Sequence, residues 1–282
     1  MPLLTPHSHA GGPRHRTAWW RLLACLALAC LVTPALQARD MADIKASGKL
    51  VVAIPDQRNP PFFFEDHGEL KGLDIDLAKS IAEALGVSVA FNRDGKSFND
   101  AVRLVAEDKA DMSAAKISRT LARSQTVLFS TPYITLPHAM LVNRLRFAQI
   151  SGGKSIAEVM QNYTDTIGVI ANSSFVGFAK TYFPKARIVE LETWDMVVDA
   201  VAKGKVTMAY RDAFEVKRIF KINPDLVLTV RSVMIEDIKD TIGIAVNQKN
   251  YLLLNFLNLF LEQKNIKYTS EQILTKYEKF LN

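Results

Sequence analysis

The residues best equipped for chemistry are charged and gather in two places. Lys116, Ser118, Arg119, Thr120 and Arg123 stand close together, and Arg211 stands beside Asp212. A guanidinium is a planar fork that grips a carboxylate through two parallel, charge-assisted hydrogen bonds. A carboxylate in turn pairs with an ammonium. The chemistry on offer is therefore charge pairing with a small ionic partner. Asp212 also has a structural reading, as the N-cap of a helix that begins at Ala213.

Acid–base catalysis finds less support. Beyond residue 38 the only histidines are His67, in a turn, and His138, further along the chain. Neither belongs to a Ser-His-Asp, metal-ligand or phosphate-loop pattern. A carboxylate such as Asp56 or Asp212 is the remaining candidate for a positioned acid or base. The expectation is a chain with no catalytic residue, no metal and no cofactor.

The elements that position these residues alternate. Leu50–Ile54, Val87–Phe91 and Met112–Ala115 read as strands, separated by helical spacing from Asp74 to Leu85 and from Phe98 to Glu107. Gly86 stops the first of these helices. After Pro137 the alternation resumes. Strands are expected at Ala139–Val142, Ile167–Ile170, Arg187–Val189, Thr207–Tyr210 and Ile242–Val246, with helices at Ser173–Tyr182 and Met196–Lys203. Tyr251–Leu261 reads as an amphipathic helix on a core, because Asn255 and Asn258 interrupt its apolar run. Alternating strands and helices predict an α/β protein with largely parallel sheets. No Gly/Ser/Pro linker separates the halves, so the chain is expected to cross between them on ordered strands.

Composition agrees. Of 282 residues, 49% are hydrophobic and 23% charged, which places the chain among ordinary globular proteins rather than disordered or fibrous ones. The first 38 residues read as an export signal. Arg14, Arg16 and Arg21 precede an apolar run from Leu22 to Val32, then Thr33-Pro34 and the small-residue stretch Ala35–Ala38. The run is too short for a bilayer core of ~30 Å. An uncleaved anchor is the alternative, and Cys30 after Ala27-Leu28-Ala29 loosely fits a lipid-attachment site. Both cysteines, Cys25 and Cys30, lie in this run, so the rest of the chain forms no disulfide and relies on its core. Setting aside the three arginines of that segment lowers the formal charge from +6 to +3. No basic stretch is interleaved with aromatics, which argues against a nucleic-acid partner.

Gly72-Leu73-Asp74-Ile75-Asp76-Leu77-Ala78, preceded by Pro61-Phe62-Phe63-Phe64 and Gly68, resembles the signature of the polar amino-acid family of periplasmic solute-binding proteins. Ile117-Ser118-Arg119-Thr120, Arg123 and Phe129-Ser130-Thr131-Pro132-Tyr133 resemble that family's ligand-carboxylate loop. Gly168-Val169, Ser173-Ser174, Gly204, Asp212 and Gly243–Val246 follow in the family's order, and the resemblance spans the chain beyond its first 38 residues. It implies two α/β lobes joined by a two-strand hinge, the type II periplasmic-binding-protein-like fold. Lobe 1 is placed at 39–136 plus 247–282 and lobe 2 at 137–246.

The resemblance also implies roles. Arg123 matches the arginine that clamps a ligand carboxylate, assisted by Ser118 and Thr120, and Asp212 matches the acid that binds an ammonium. Ser173 matches a hydroxyl at a helix N-terminus on lobe 2. Asp56 and Phe98 match positions facing the ligand side chain, though Phe98 fits plain core equally well. Phe62 likewise fits wall or core. Departures are Asn59 in place of a stacking aromatic, and Lys116 and Asn172 in place of small residues or glycine. If Lys116, Arg119, Arg123 and Arg211 all face the cleft, its positive surplus calls for an acidic ligand such as glutamate, aspartate or a dicarboxylate; otherwise Lys116 and Arg119 point to solvent. The implied function is an extracytoplasmic receptor, a periplasmic monomer that delivers an amino-acid-like or dicarboxylate ligand to the membrane permease of an ABC importer. The alternatives are an accessory or sensor protein that binds a protein partner, and a periplasmic dehydratase of the cyclohexadienyl type acting on prephenate or arogenate.

Overall fold

A computed structural model describes residues 39–281. The expected export signal lies outside the described residues.

Helix α1 (Met41–Ser47) starts at a capping box between Asp40 and Asp43 and ends on Gly48, whose φ of 63° suits glycine. The chain then enters strand β1 (Lys49–Ala53), with Leu50 and Val52 fully buried. A short hairpin of β2 (Phe64–Asp66) and β3 (Glu69–Lys71) leads into helix α2 (Leu73–Leu85). Gly72 sits at φ 123°, and a Cβ there would lie 2.4 Å from the Phe62 carbonyl oxygen. That close approach lets the Leu73 and Asp74 amides donate to the carbonyls of Pro61 and Phe62, both at 2.9 Å, fixing Phe62 under the cleft. Strand β4 (Ser88–Asn92), helix α3 (Phe98–Ala106), and strands β5 (Met112–Ser113) and β6 (Val127–Phe129) complete this segment.

Strand β7 (Ile134–Asn143) carries the chain into a second sheet. There follow helices α4 (Arg144–Ser151) and α5 (Ile156–Gln161), strand β8 (Thr166–Ile170), helix α6 (Ser174–Tyr182), strand β9 (Arg187–Leu191) and helix α7 (Trp194–Ala202). Strand β10 (Met208–Asp212) runs directly into helix α8 (Ala213–Ile222). Strand β11 (Val230–Ile242) returns the chain, and strand β12 (Ala245–Asn247) rejoins the first sheet. Helices α9 (Tyr251–Gln263) and α10 (Ser270–Lys276) follow.

The first sheet has the order β4-β1-β5-β12-β6 and the second β11-β7-β10-β8-β9. Strands β1, β4 and β5 are parallel, as are β8, β9 and β10. This is the two-lobed α/β fold expected, and β7 and β11 form its hinge, paired antiparallel from Asn143–Val230 down to Ile134–Ile242. One core fills the first lobe and takes in Phe214 from α8; two others cover the opposite faces of the second sheet. Among the described residues no helix is long and apolar enough to cross a membrane. Tyr251–Gln263 packs Leu253, Leu257, Phe260 and Leu261 inward while Leu252 and Leu259 stay exposed.

Two readings need correction. Ile242–Val246 is not one strand. Ile242 ends β11, whereas Ala245 and Val246 pair with Ser113 and Met112 in the other sheet. A continuous apolar run hides this, because both strand ends are buried, and the return to the first sheet precedes Asn247. Strand β11 itself was not expected. Its burial alternates with charged, exposed positions such as Glu236, Asp237 and Lys239, as at the edge of a sheet. Helices α4 and α5 are likewise additions to the expected elements, whereas α8 is the helix implied by the N-cap reading of Asp212.

Candidate functional site

The site lies where the two lobes meet at the hinge. Strand β10 ends in Arg211-Asp212, and Asp212 caps α8: its Oδ1 accepts from the Glu215 amide at 3.1 Å. Its Oδ2 lies 2.9 Å from Nζ of Lys116, from the other lobe. The capping and the cleft-facing readings of Asp212 therefore hold together. Lys116 follows β5 at φ 52°, and Asn172 stands at φ 54°. Both are left-handed positions that favour glycine, which gives their departure from small residues a physical meaning.

Lys116 Nζ also donates to Glu215 Oε1 at 2.8 Å and lies 4.5 Å from the centre of the Phe62 ring, itself edge-on to Phe214. Glu215 Oε2 accepts from Arg218 Nε at 2.9 Å, and Arg218 Nη1 donates to the Leu281 carbonyl at 2.6 Å. Burial alone would raise the Glu215 carboxyl. Lys116, Arg218 and Arg211 outweigh it and hold the group well below the usual carboxylate range. Lys116, Asp212 and Glu215 expose 2% of their side chains or less, so each charge depends on its partners rather than on water.

Arg211 is enclosed by aromatics. Its guanidinium carbon lies 5.6 Å from the ring of Phe98, 5.5 Å from Phe175 and 5.9 Å from Trp194, within cation–π range. Phe98 thus serves as wall and core at once, since it also meets Phe63 edge-on in the first lobe. Arg211 Nε stands 3.5 Å from Asp212 Oδ2, too far for a good hydrogen bond, and has no hydrogen-bond partner among the described residues.

Arg123 is buried in the same cavity. Its Nε and Nη2 donate to Asn99 Oδ1 at 3.2 and 2.9 Å, and its Nη1 to the Ser118 carbonyl at 3.0 Å. Burial pulls the guanidinium down to about 10, partly offset by Asp240, so it stays charged at neutral pH. Ser118 Oγ donates to Asp240 Oδ2 at 2.9 Å and lies 2.8 Å from Ser174 Oγ, a second polar bridge between lobes. Asp240, on hinge strand β11, is fully desolvated. Burial, reinforced by nearby Asp212, pushes its carboxyl up to about 6, and its Oδ1 has no partner among the described residues.

The structure thus brings Phe98, Lys116, Ser118, Arg123, Ser173, Arg211 and Asp212 to one cavity, with Ser174, Phe175 and Asp240. The space left between them is about 10 Å³, roughly what one water needs. Any larger guest requires the lobes to part. Ser173 is present, but its hydroxyl turns back to the Ile170 carbonyl at 2.6 Å. Thr120 does not line the cavity; its side-chain Oγ1 accepts from the Arg123 backbone amide at 3.2 Å. Asp56 does not line the cavity; it is half exposed and paired with Arg93. Arg119 is exposed and also outside it. Of the four expected cations, then, three face the cavity.

Asp240, Glu215, Asn99, Trp194 and Arg218 are site residues that sequence reasoning missed. Glu215 and Arg218 carried a usable signal, three and six residues after the capping Asp212 on one helix face. Asp240 carried none, because its strand was not recognised.

Comparison with known proteins agrees with this architecture. The chain is 28% identical over 209 residues to the cyclohexadienyl dehydratase of Pseudomonas aeruginosa, covering 72% of this chain and 74% of that one. It is 24% identical to the ABC transporter arginine-binding protein 1 of Escherichia coli, covering 71% and 78%. A membrane-bound lytic murein transglycosylase F from Idiomarina loihiensis is 29% identical, but the match spans only 45% of that protein. Among solved structures, an ancestral amino-acid-binding protein described as a precursor of cyclohexadienyl dehydratase superposes with a TM-score of 0.66 at 25% identity, covering 84% of this chain and 98% of that one. A binding component of an ABC transporter from Wolinella succinogenes, complexed with lysine, shares the fold with a TM-score of 0.67 at 23% identity, covering 82% and 95%. The model of the bacterial extracellular solute-binding proteins, family 3, matches residues 50–280, and the chain belongs to that family.

Proposed function

We propose that the protein is an extracytoplasmic receptor that captures a small carboxylate, an amino acid or a relative of one, between its lobes for ABC-type import. The observation that carries this reading is the convergence of Arg123 and Lys116 from one lobe with Arg211 from the other on a single buried cavity. In this reading Arg123 and Arg211 grip the ligand, and Ser118, Ser173 and Ser174 supply hydroxyls. Residues 1–38 direct export to the periplasm, and a membrane permease receives the ligand. A ligand that touches both lobes at once binds the closed arrangement better, and that difference drives closure.

A thermal-shift screen against amino acids, dicarboxylates, oxo acids and hydroxy acids tests the reading. A ligand at 100 times its dissociation constant adds about 2.7 kcal/mol, worth roughly 5–11 °C for a chain of this size. No shift from any compound with a folded sample would sink it.

Asp240 favours a second reading. A desolvated carboxyl with a value of about 6 and an open oxygen in the cavity is suited to proton transfer at neutral pH. Together with the likeness to a cyclohexadienyl dehydratase, it points to a dehydratase with Asp240 as the proton-handling group. Turnover of prephenate or arogenate by the purified protein, lost in Asp240→Asn, would establish that reading in place of the receptor.

A further inference from the structure

Recognition of an ammonium group needs acid oxygens that are free to accept. In this cavity most are already engaged from within. Asp212 spends Oδ1 on the Glu215 amide and Oδ2 on Lys116. Glu215 spends one oxygen on Lys116 and the other on Arg218. Lys116 Nζ thus places a tethered ammonium between the two acids, seated over the Phe62 ring. Asp240 keeps one open oxygen, but burial and Asp212 both disfavour its charged form.

The cations are engaged less closely: Arg123 donates to the neutral oxygens of Asn99 and the Ser118 carbonyl, and Arg211 stands 3.5 Å from Asp212 and 4.0 Å from Glu215. Arg211, with 5% of its side chain exposed, has an Nε without a hydrogen-bond partner among the described residues. The cavity presents Lys116, Arg123 and Arg211 against Asp212 and Asp240. Even with both acids ionised one positive charge is left over, while Glu215 and Arg218 cancel behind them. A zwitterion brings no net charge to that surplus and an ammonium that must compete with Lys116. An anion without an amine brings what the cavity lacks.

We propose that Lys116 is a built-in ammonium, and that the ligand of this cavity is a small mono- or dicarboxylate without an amino group, of the 2-oxo or 2-hydroxy acid class. The proposal rests on the receptor reading and narrows it, since glutamate and aspartate are excluded along with neutral amino acids.

The test is calorimetric titration of the purified protein with matched pairs: L-glutamate against 2-oxoglutarate, L-aspartate against L-malate, and L-alanine against pyruvate and L-lactate. The expected result is at least one pair in which the acid without an amine binds ten times or more tighter. Lys116→Gly then releases Asp212 and Glu215, and the same pair shifts toward the amino acid by at least tenfold. If Lys116→Gly does not fold, Lys116→Gly combined with Glu215→Gln removes one buried acid with the lysine and reports the same ratio. A wild-type protein that prefers the amino acid of a pair overturns this inference and leaves the receptor reading standing. A ratio unchanged by either variant overturns the role of Lys116. Silence from every compound, in wild type and variants alike, overturns the receptor reading and this inference with it.

Discussion

Lys116 and Asp212 are 96 positions apart in the sequence, yet Nζ of one lies 2.9 Å from Oδ2 of the other across the junction of the lobes. Both side chains are almost wholly buried. The pair therefore acts as a bolt as well as a charge contact. In the low-dielectric junction each member depends on its ionic partners, Lys116 on Glu215 as well and Asp212 also on Arg211.

Lys116→Ala is expected to destabilise the fold by about 3–5 kcal/mol, the range for breaking a buried pair by removing one partner. Arg211 and Arg218 remain near the orphaned acids, which favours the lower end. Denaturant unfolding at pH 7 measures the loss; a change below about 1 kcal/mol would show that the bolt bears little.

Asp240→Asn is expected to stabilise the protein at neutral pH. Burial raises the Asp240 carboxyl to about 6 in the folded state, above an unfolded value near 3.9. Its contribution is fully present below about pH 4 and is lost as pH rises through about 6. The gap corresponds to roughly 3 kcal/mol at pH 7, and the asparagine escapes it. Unfolding stabilities of the two proteins should converge near pH 4, draw apart between pH 4 and 6 and stay apart above it; a difference that does not change between pH 4 and 6 would contradict the assignment.

His138 has the opposite slope. Packed against Phe175, Phe178 and Tyr210, and bonded through Nδ1 to the Tyr210 hydroxyl, its imidazole is pushed down to about 4 by burial. The stability it confers is fully present above about pH 6.5 and is lost as pH falls through about 4. Between pH 4 and 6 the two residues oppose each other, and Asp74, whose carboxyl burial pushes up to about 7, acts in the same direction as Asp240. Relative to wild type, Asp240→Asn should lessen the loss of stability as pH rises from 4 to 6, and His138→Phe should remove the loss as pH falls through the same range.

Much of the fold was legible because its signals are local. Helix α2 is written in the spacing of Ile75, Leu77, Ala78, Ile81 and Leu85 and in the stop at Gly86, and α3 in the helical spacing from Phe98. Strand β11 was not legible. Its exposed charges look like loop, and only pairing with β7, a partner distant in sequence, makes it a strand. The site shows the same division. Arg123, Ser118 and Asp212 stand in recognisable local patterns, whereas the engagement of Lys116 depends on a contact between lobes that no window of sequence contains. Asp56 was misleading for the converse reason, since its position fits but Arg93 claims its carboxylate.

Gly72→Ala is expected to disturb the loop that seats Phe62. At φ 123° with a carbonyl oxygen 2.4 Å from the new Cβ, backbone strain alone costs about 1–3 kcal/mol, and the clash adds to it. Thermal unfolding measures the loss. Wild-type stability would mean that the loop can shift freely, and the Phe62 platform under Lys116 would then need another support.

The most direct test of the account is calorimetric titration of wild type and Arg123→Ala with the acid that gives the largest thermal shift. Arg123 lines the same cavity as Lys116 but bonds to Asn99 and the Ser118 carbonyl rather than to Asp212 or Glu215, so its loss should leave the bolt in place. The account predicts saturable one-to-one binding by wild type, weakened in the variant by about 2–5 kcal/mol, as when one partner of a buried charge pair is truncated. Equal affinity in the two proteins, with both folded, would contradict it and move the binding site away from the cavity between the lobes.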